Sequence, residues 1–140
     1  MTSRKIRAFL DTNVLLEYFR GKAELQHLFS EEVRERAAFA INGIVAQELL
    51  LSRVTDSDLA AMDPYVEIVE LNFGPSSPEW QSMLRDERNR SLHVNDILIL
   101  ATARTFDVLL TYDRELLQAA KAVLRSETPE EFLVELGAAA

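Results

Sequence analysis

The sequence predicts a single α/β domain with a mainly parallel sheet of four to five strands, flanked by helices on both sides. Short apolar runs alternate along the whole chain with segments whose apolar residues recur at helical spacing. The first run, Ile6–Leu10, ends in three consecutive apolar residues, which is typical of a strand buried on both faces of a parallel sheet. With 140 residues, 48% hydrophobic and 27% charged, the chain has the size and composition of one globular domain. We therefore expect residues 1–140 to form one domain, with a frayed tail at 137–140.

The first half of the chain contains three predicted strands. They are Ile6–Leu10, Ala37–Asn42 and residues 66–71. The third alternates apolar and polar residues, which favours an edge position in the sheet. Helical spacing predicts a helix from Thr12 and further helices at 23–29, 44–53 and 56–62, whereas the charged segment 31–36 is expected to be solvated.

The second half opens with a loop at 72–78. Ser77 and Pro78 form a typical helix start, and the helix is expected to reach about Asn89 with Trp80, Met83 and Leu84 facing inward. The remaining predicted elements are a very apolar helix at 94–106, a strand at 107–111, a helix at 114–120, a short fifth strand at 122–124 and a last helix to Leu136. Thr128 and Glu131 form a capping box that opens that last helix.

Composition excludes several classes of protein. The absence of cysteine excludes disulfides and thiolate metal sites. No apolar run approaches the roughly 18 residues of a membrane span, and the N-terminus lacks the apolar region of a signal peptide, so we expect a cytoplasmic protein. The net charge of −8 argues against a generic nucleic-acid coat, which would usually be basic. Any contact with nucleic acid must therefore use local basic patches.

Two acids follow predicted strands directly. Asp11 ends the first strand and Asp113 follows the fourth, so both are expected at the carboxyl edge of the sheet, where ligands collect in open α/β folds. For each, helix capping is the structural alternative, because Asp is a preferred N-cap residue. Thr111 is placed to support Asp113 through its hydroxyl group.

Two further acids lie on predicted helices. At about 100° per residue, Glu48 falls among the residues that form the apolar stripe of its helix. Alternatively, it lies at the edge of this stripe and its carboxylate reaches water. Asp96 lies in the first turn of a helix that is apolar on every side. It either caps that helix, with Asn95 as a competitor for the role, or points toward the active edge of the sheet.

These four acids can converge in a right-handed, doubly wound sheet. Clustered carboxylates repel one another unless a cation lies between them. Oxygen ligands without cysteine favour Mg²⁺ or Mn²⁺ over Zn²⁺. Two such ions can activate a water molecule and stabilise the leaving oxygen of a phosphodiester.

Five segments resemble the PIN domain, a family of metal-dependent ribonucleases, and especially the VapC-type toxins of bacterial toxin–antitoxin pairs. The segments are FLDTNVLLEYFRG from Phe9, QELL at 47–50, NDILILATA at 95–103, LLTYDREL at 109–116 and SETPEEFLVEL at 126–136. The resemblance covers nearly the whole chain in the family's order and spacing. It implies a parallel sheet flanked by helices, one or two Mg²⁺ or Mn²⁺ ions, and a single-stranded RNA substrate. It also implies a homodimer and an antitoxin protein whose tail blocks the acidic pocket.

The resemblance also implies roles for individual residues. The family's catalytic and metal-binding acids fall on Asp11, Glu48, Asp96 and Asp113. Their polar neighbours fall on Thr12, Asn13 and Thr111. Beside these, Arg114 is the basic residue best placed to contact RNA, and His93 could contact the substrate or leaving group, although a surface or capping histidine is more common.

Two other functions stay open at this stage. A PIN-like domain can serve as a binding or scaffold module without nuclease activity, although a complete set of four acids argues against that function. An aspartyl-phosphate phosphatase also begins with an acid at the end of a strand. Such an enzyme would use Asp11 as its nucleophile and a second acid at position 13, where this chain has Asn13.

Overall fold

The computed structural model describes residues 4–70, 78–86 and 89–137. Five parallel strands form one sheet in the order β3-β2-β1-β4-β5. They are β1 (Ile6–Leu10), β2 (Ala37–Asn42), β3 (Val66–Val69), β4 (Val108–Leu110) and β5 (Arg125–Glu127). The helices of the described ranges are α1 (Thr12–Phe19), α2 (Glu31–Arg34), α3 (Gly43–Leu51), α4 (Asp56–Met62), α5 (Pro78–Arg85), α6 (Val94–Ala103), α7 (Arg114–Ala120) and α8 (Pro129–Glu135). The predicted fold class and the edge position of β3 are confirmed.

The central strand β1 and its neighbour β4 are buried on both faces. Ala8, Phe9 and Leu10 in β1 have no exposed surface, and neither do residues 108–110 in β4. Because consecutive strand residues point to opposite faces, helices must cover both sides of the sheet here. No helix within the described residues is long and apolar enough to cross a membrane.

The register of these two strands creates the edge that matters for function. Leu10 of β1 lies beside Leu110 of β4, so both strands end at the same level. The Asp11 N–H donates to the Leu110 carbonyl at 3.0 Å and extends the ladder by one more bond. The residues that follow the two strands are thereby brought side by side, as expected at a carboxyl edge.

The segment between α1 and β2 differs from its prediction. Instead of a helix at 23–29, only a 3-10 turn, Ala23–Leu25, is present. The segment 31–36 is mostly solvated as predicted, with Val33 buried, but it also forms the short helix α2. The Ser30 hydroxyl caps that helix by accepting the Val33 N–H at 3.3 Å, and Glu31 and Glu32 lie at its positive end. The prediction missed this cap.

The last strand also differs, because β5 spans Arg125–Glu127 and not residues 122–124. Register decides its position, since Ser126 pairs with Leu109 of β4. The charges of this polar strand are satisfied locally, with Arg125 pairing with Glu127 and with Glu135. An apolar run was therefore the wrong guide to this edge strand.

Helix α5 is shorter than predicted and is oriented partly as expected. It ends at Arg85 rather than near Asn89, and α6 likewise ends at Ala103 rather than at residue 106. Met83 is buried as predicted, but Leu84 is 47% exposed and does not face inward. The predicted loop at 72–77, including the Ser77 cap, and the side chain of Trp80 lie outside the described residues.

Glu127 gives the fold a testable pH dependence. Burial raises the pKa of its carboxyl group to about 7, and a hydrogen bond with Glu135 adds to this, against the opposing charge of Arg125. Because the pKa of Glu127 is higher in the folded state, the stabilising contribution of its carboxyl group is complete below the ordinary pKa of 4.5. This contribution is lost as the pH rises through 7. We expect Glu127→Gln to stabilise the protein by about 2 kcal/mol at pH 8 and by much less at pH 5. Thermal unfolding at both pH values checks this, and an equal gain at both would contradict it.

Candidate active site

Two of the predicted acids lie at the carboxyl edge of the sheet. Asp11 directly follows β1 and caps α1, with its Oδ1 accepting the Thr12 N–H at 2.8 Å. Asp113 follows β4 and caps α7, with its Oδ1 accepting the N–H groups of Glu115 and Leu116 at 2.9 and 3.2 Å. Capping was the structural alternative for both residues, and it occurs. Helix capping is compatible with a second role in a functional site, because it holds both carboxylates at this edge of the sheet.

A hydrogen-bond network locks the Asp11 carboxylate between β1 and β4. Its Oδ2 accepts the Thr111 hydroxyl at 2.6 Å and the Asn13 amide at 3.2 Å. Asn13 Oδ1 in turn accepts the Tyr112 N–H at 3.1 Å. Thr111 was expected to support Asp113, but its hydroxyl donates to Asp11 and only accepts the Asp113 backbone N–H, at 3.0 Å. Asn13 and Thr111 therefore fix the orientation of Asp11.

The other two acids approach from helices. The Thr12 hydroxyl donates to Glu48 Oε1 at 2.8 Å, which ties α3 to the first turn of α1. Asp96 is the third residue of α6, and its Oδ2 accepts the His93 N–H at 3.3 Å. His93 occupies the capping position, so Asn95 does not cap this helix as the alternative interpretation supposed.

The electrostatics show that these acids lie close together. Burial raises the pKa of Asp11 to about 6, against the hydrogen bonds from Thr111 and Thr12, and the charges of Asp96 and Glu48 raise it further. Burial also raises the pKa of Asp96, and the charges of Asp113 and Glu48 contribute in the same direction. Each of the four acids thus acts on at least one other. A cation at this edge would relieve their repulsion.

Asn42, for which the sequence pattern predicted no role, connects the two helices that carry Glu48 and Asp96. It is fully buried at the end of β2. Its Oδ1 accepts the Val45 N–H at 3.1 Å and caps α3, while its Nδ2 donates to the Thr102 hydroxyl of α6 at 3.0 Å. Its position before Gly43 was an available capping signal, but the contact with Thr102 is not visible in the sequence.

The four acids provide the oxygen ligands that a divalent cation prefers, but their side chains are not already arranged around a common point. Across the described ranges, no three His, Asp or Glu side chains are grouped so that they could hold a metal ion as they stand. The hydrogen bonds above engage one oxygen each of Glu48, Asp96 and Asp113 and leave the second oxygen of each carboxylate for a ligand. These oxygen donors, beside a buried fourth acid, match the preference of Mg²⁺ and Mn²⁺. The residues present therefore fit such an ion if their side chains adjust around it.

The comparison with protein families identifies this arrangement. The model of the PIN domain matches residues 8–122, which include all four acids. The chain belongs to the PIN domain family. PIN domains are generally nucleases and typically use divalent metal ions.

Solved structures show the same fold at low sequence identity. This PIN domain is similar to a chain in the crystal structure of VapBC2 from Rickettsia felis bound to a DNA fragment from their promoter, with a TM-score of 0.63 and 18% identity over 88% of this chain and 98% of that one. It is also similar to a PilT N-terminus domain protein from the hyperthermophilic archaeon Sulfolobus solfataricus P2, with a TM-score of 0.63 and 14% identity over 94% and 93% of the two chains. No curated protein sequence matches this PIN domain.

Proposed function

We propose that this protein is a Mg²⁺- or Mn²⁺-dependent endoribonuclease that cleaves single-stranded RNA. The observation that carries the proposal is the position of Asp11 and Asp113 side by side at the carboxyl edge of the sheet of a PIN domain. Glu48 is tied to the first turn of α1 through the Thr12 hydroxyl, and the charge of Asp96 acts on Asp11. Carboxylates that lie near one another repel, and this repulsion is costly in the free protein. A free-energy cost of this kind is typical of functional sites, where acids with shifted pKa values cluster.

The residues of the site divide into ligands and supports. Asp11, Glu48, Asp96 and Asp113 would bind the ions. Bound ions of this kind activate a water molecule for attack on phosphorus and stabilise the leaving oxygen. Thr111 and Asn13 orient Asp11, and Thr12 orients Glu48, through the hydrogen bonds described above. By this proposal His93, which is exposed at the start of α6, contacts the substrate or leaving group.

The biological role that we propose is that of the toxin in a toxin–antitoxin pair. Support comes from the PIN fold and from the similar chain in the structure of VapBC2 from Rickettsia felis. By this proposal the protein acts in the cytoplasm as a homodimer, and an antitoxin protein occupies its acidic pocket.

Cleavage of a mixed single-stranded RNA pool tests the enzymatic proposal. Purified wild type and Asp96→Asn are compared in Mn²⁺, Mg²⁺ and EDTA. We expect cleavage by wild type in either metal, none in EDTA, and at least a hundredfold loss in the variant, which is about the cost of removing one group that acts on the transition state. Cleavage that persists in EDTA or in the variant would contradict the proposed site.

A scaffold module is the second candidate, because the described residues contain no preformed group of metal ligands. Thermal unfolding with and without Mn²⁺ separates the two functions. A nuclease site should give stabilisation of wild type by Mn²⁺ that is lost in Asp96→Asn, since a ligand that binds only the folded state raises its stability. No Mn²⁺ effect together with no RNA cleavage would favour the scaffold.

A further inference from the structure

An open basin of about 440 Å³ lies along α7, the helix that Asp113 caps. It is lined by Ser91, Arg114, Glu115, Gln118 and Ala119. Ser91 lies in the loop that leads to His93 and α6, and the other four residues lie on the first two turns of α7, which Asp113 caps. A volume of this order is within the range of small-ligand sites, which starts at about 300 Å³.

The polar groups of the basin are not used by the fold. Arg114, Gln118 and Ser91 are exposed, and their side chains make no hydrogen bond or ion pair with any part of the chain that the structure describes. Arg114 and Gln118 are four residues apart on α7 and so lie on the same helix face. Glu115 places a carboxylate on the wall of the same basin. A cation, an amide and a carboxylate are therefore presented together on α7.

We propose that this basin binds the nucleotide next to the scissile phosphate, with Arg114 on the backbone phosphate and Gln118 on the edge of the base. This inference rests on the proposed ribonuclease function and adds its specificity determinant. Unpaired bases in single-stranded RNA expose their hydrogen-bonding edges to protein side chains. A glutamine amide can pair with the adenine edge, and a carboxylate such as that of Glu115 can accept the cytosine amino group. Ala119 forms an apolar floor for the base.

Charge favours a single phosphate contact. Glu115 repels phosphate from its side of the basin, so Arg114 is the one cation of the lining that can pair with the backbone. A phosphate contact carries no sequence information, whereas contacts to base edges do. Replacement of Arg114 should therefore lower the affinity for every RNA sequence, whereas replacement of Gln118 should change the preference between sequences. That difference separates a nucleotide site from a general electrostatic attraction.

The test measures binding of fluorescent single-stranded RNA oligonucleotides by anisotropy, in Mg²⁺, with Asp96→Asn as the background that does not cleave. Arg114→Gln should weaken binding of every sequence about five- to tenfold and reduce the salt slope by about 0.7, the value for one phosphate on a single strand. Gln118→Ala should leave the mean affinity nearly unchanged and remove most of the difference between A-rich and other oligonucleotides. Lys121→Gln, which removes a charge just beyond α7 and outside the basin, is the matched control and should change neither quantity.

The outcomes separate this inference from the function on which it rests. RNA binding that Arg114→Gln and Gln118→Ala alter no more than Lys121→Gln does would overturn the basin and leave the ribonuclease proposal intact. RNA binding by none of the proteins would overturn the basin. Absence of cleavage of the RNA pool by wild type would then overturn the ribonuclease as well. Because all three replaced side chains are exposed, unfolding is not expected, and thermal unfolding of each variant verifies this.

Discussion

An Asp11→Asn variant is expected to lose RNA cleavage by about a thousandfold or more, the order of effect that a bound metal ion supplies. At the same time it should be more stable than wild type in metal-free buffer. Asp11 is the most buried of the four acids, at 5% exposure, and it lies between β1 and β4 with its orientation fixed by Thr111 and Asn13. Burial therefore makes its charge costly to keep in the absence of a cation. Loss of activity with gain of stability is the signature of a functional site.

The sign of the stability change follows from the pKa of Asp11. Its folded-state pKa is raised from 3.8 to about 6, so its contribution to stability is complete below pH 3.8 and is lost as pH rises through 6. A shift of this size corresponds to about 3 kcal/mol at pH 8. Asparagine removes the charge, but its Nδ2, in the place of the Asp11 Oδ2, cannot accept the bonds from Thr111 and Asn13. We therefore expect a net gain of about 1–2 kcal/mol at pH 8 that shrinks toward pH 5.

Thermal unfolding in EDTA at pH 5 and pH 8 measures this gain. Asp107→Asn is the matched control. Hydrogen bonds from the Arg7 N–H and from Arg4 lower the pKa of Asp107, so the same substitution should lose stability at neutral pH. A loss of stability in Asp11→Asn at pH 8 would show that its buried charge is not costly. Full activity of a folded Asp11→Asn would remove Asp11 from the proposed set of ligands.

The positions of Asp11 and Asp113 could be predicted from the sequence, because they depend on the local pattern of apolar residues and on the rule that parallel strands end at the same edge of a sheet. Continuous apolar runs identified β1 and β4, and parallel strands place the residues that follow them at one edge. The contacts of Thr111 were predicted less well. Its hydroxyl serves Asp11, which is distant in sequence, because adjacent pairing of β1 and β4 brings their ends together. Sequence proximity had suggested Asp113.

The sequence did not predict elements whose position depends on contacts with residues distant along the chain. Strand β5 contains two charged residues of three, and only its register with β4 and the pairing of Arg125 with Glu127 and Glu135 make it a strand. Tertiary context overrides propensity most easily at an edge of this kind. The role of Asn42 between α3 and α6 depends on the same kind of context. The capping position of His93, in contrast, was one of the alternatives that the sequence offered.

Replacement of Asn42 by alanine is expected to destabilise the protein by about 3 kcal/mol. Loss of the α3 cap accounts for about 1 kcal/mol, loss of the bond to Thr102 for another, and the cavity at this fully buried position for the rest. Thr102→Val should cost about 1 kcal/mol. A double-mutant cycle between Asn42→Ala and Thr102→Val should give a coupling energy of about 1 kcal/mol, measured by denaturant unfolding, and additivity would show that the two side chains do not support each other.

Asn42 should also affect catalysis beyond its effect on stability, because it joins the helices that carry Glu48 and Asp96. Small displacements of groups that must act together lower rates strongly. We therefore expect kcat of Asn42→Ala to fall at least tenfold at a temperature where the variant remains folded. Leu133→Ala is the control, since it removes a buried side chain of α8, an element other than α3 and α6, at a similar cost in stability. An equal fall in kcat for the two variants would mean that Asn42 acts through stability alone. A selective fall would show that α3 and α6 must be held in register for the four acids to work as one site.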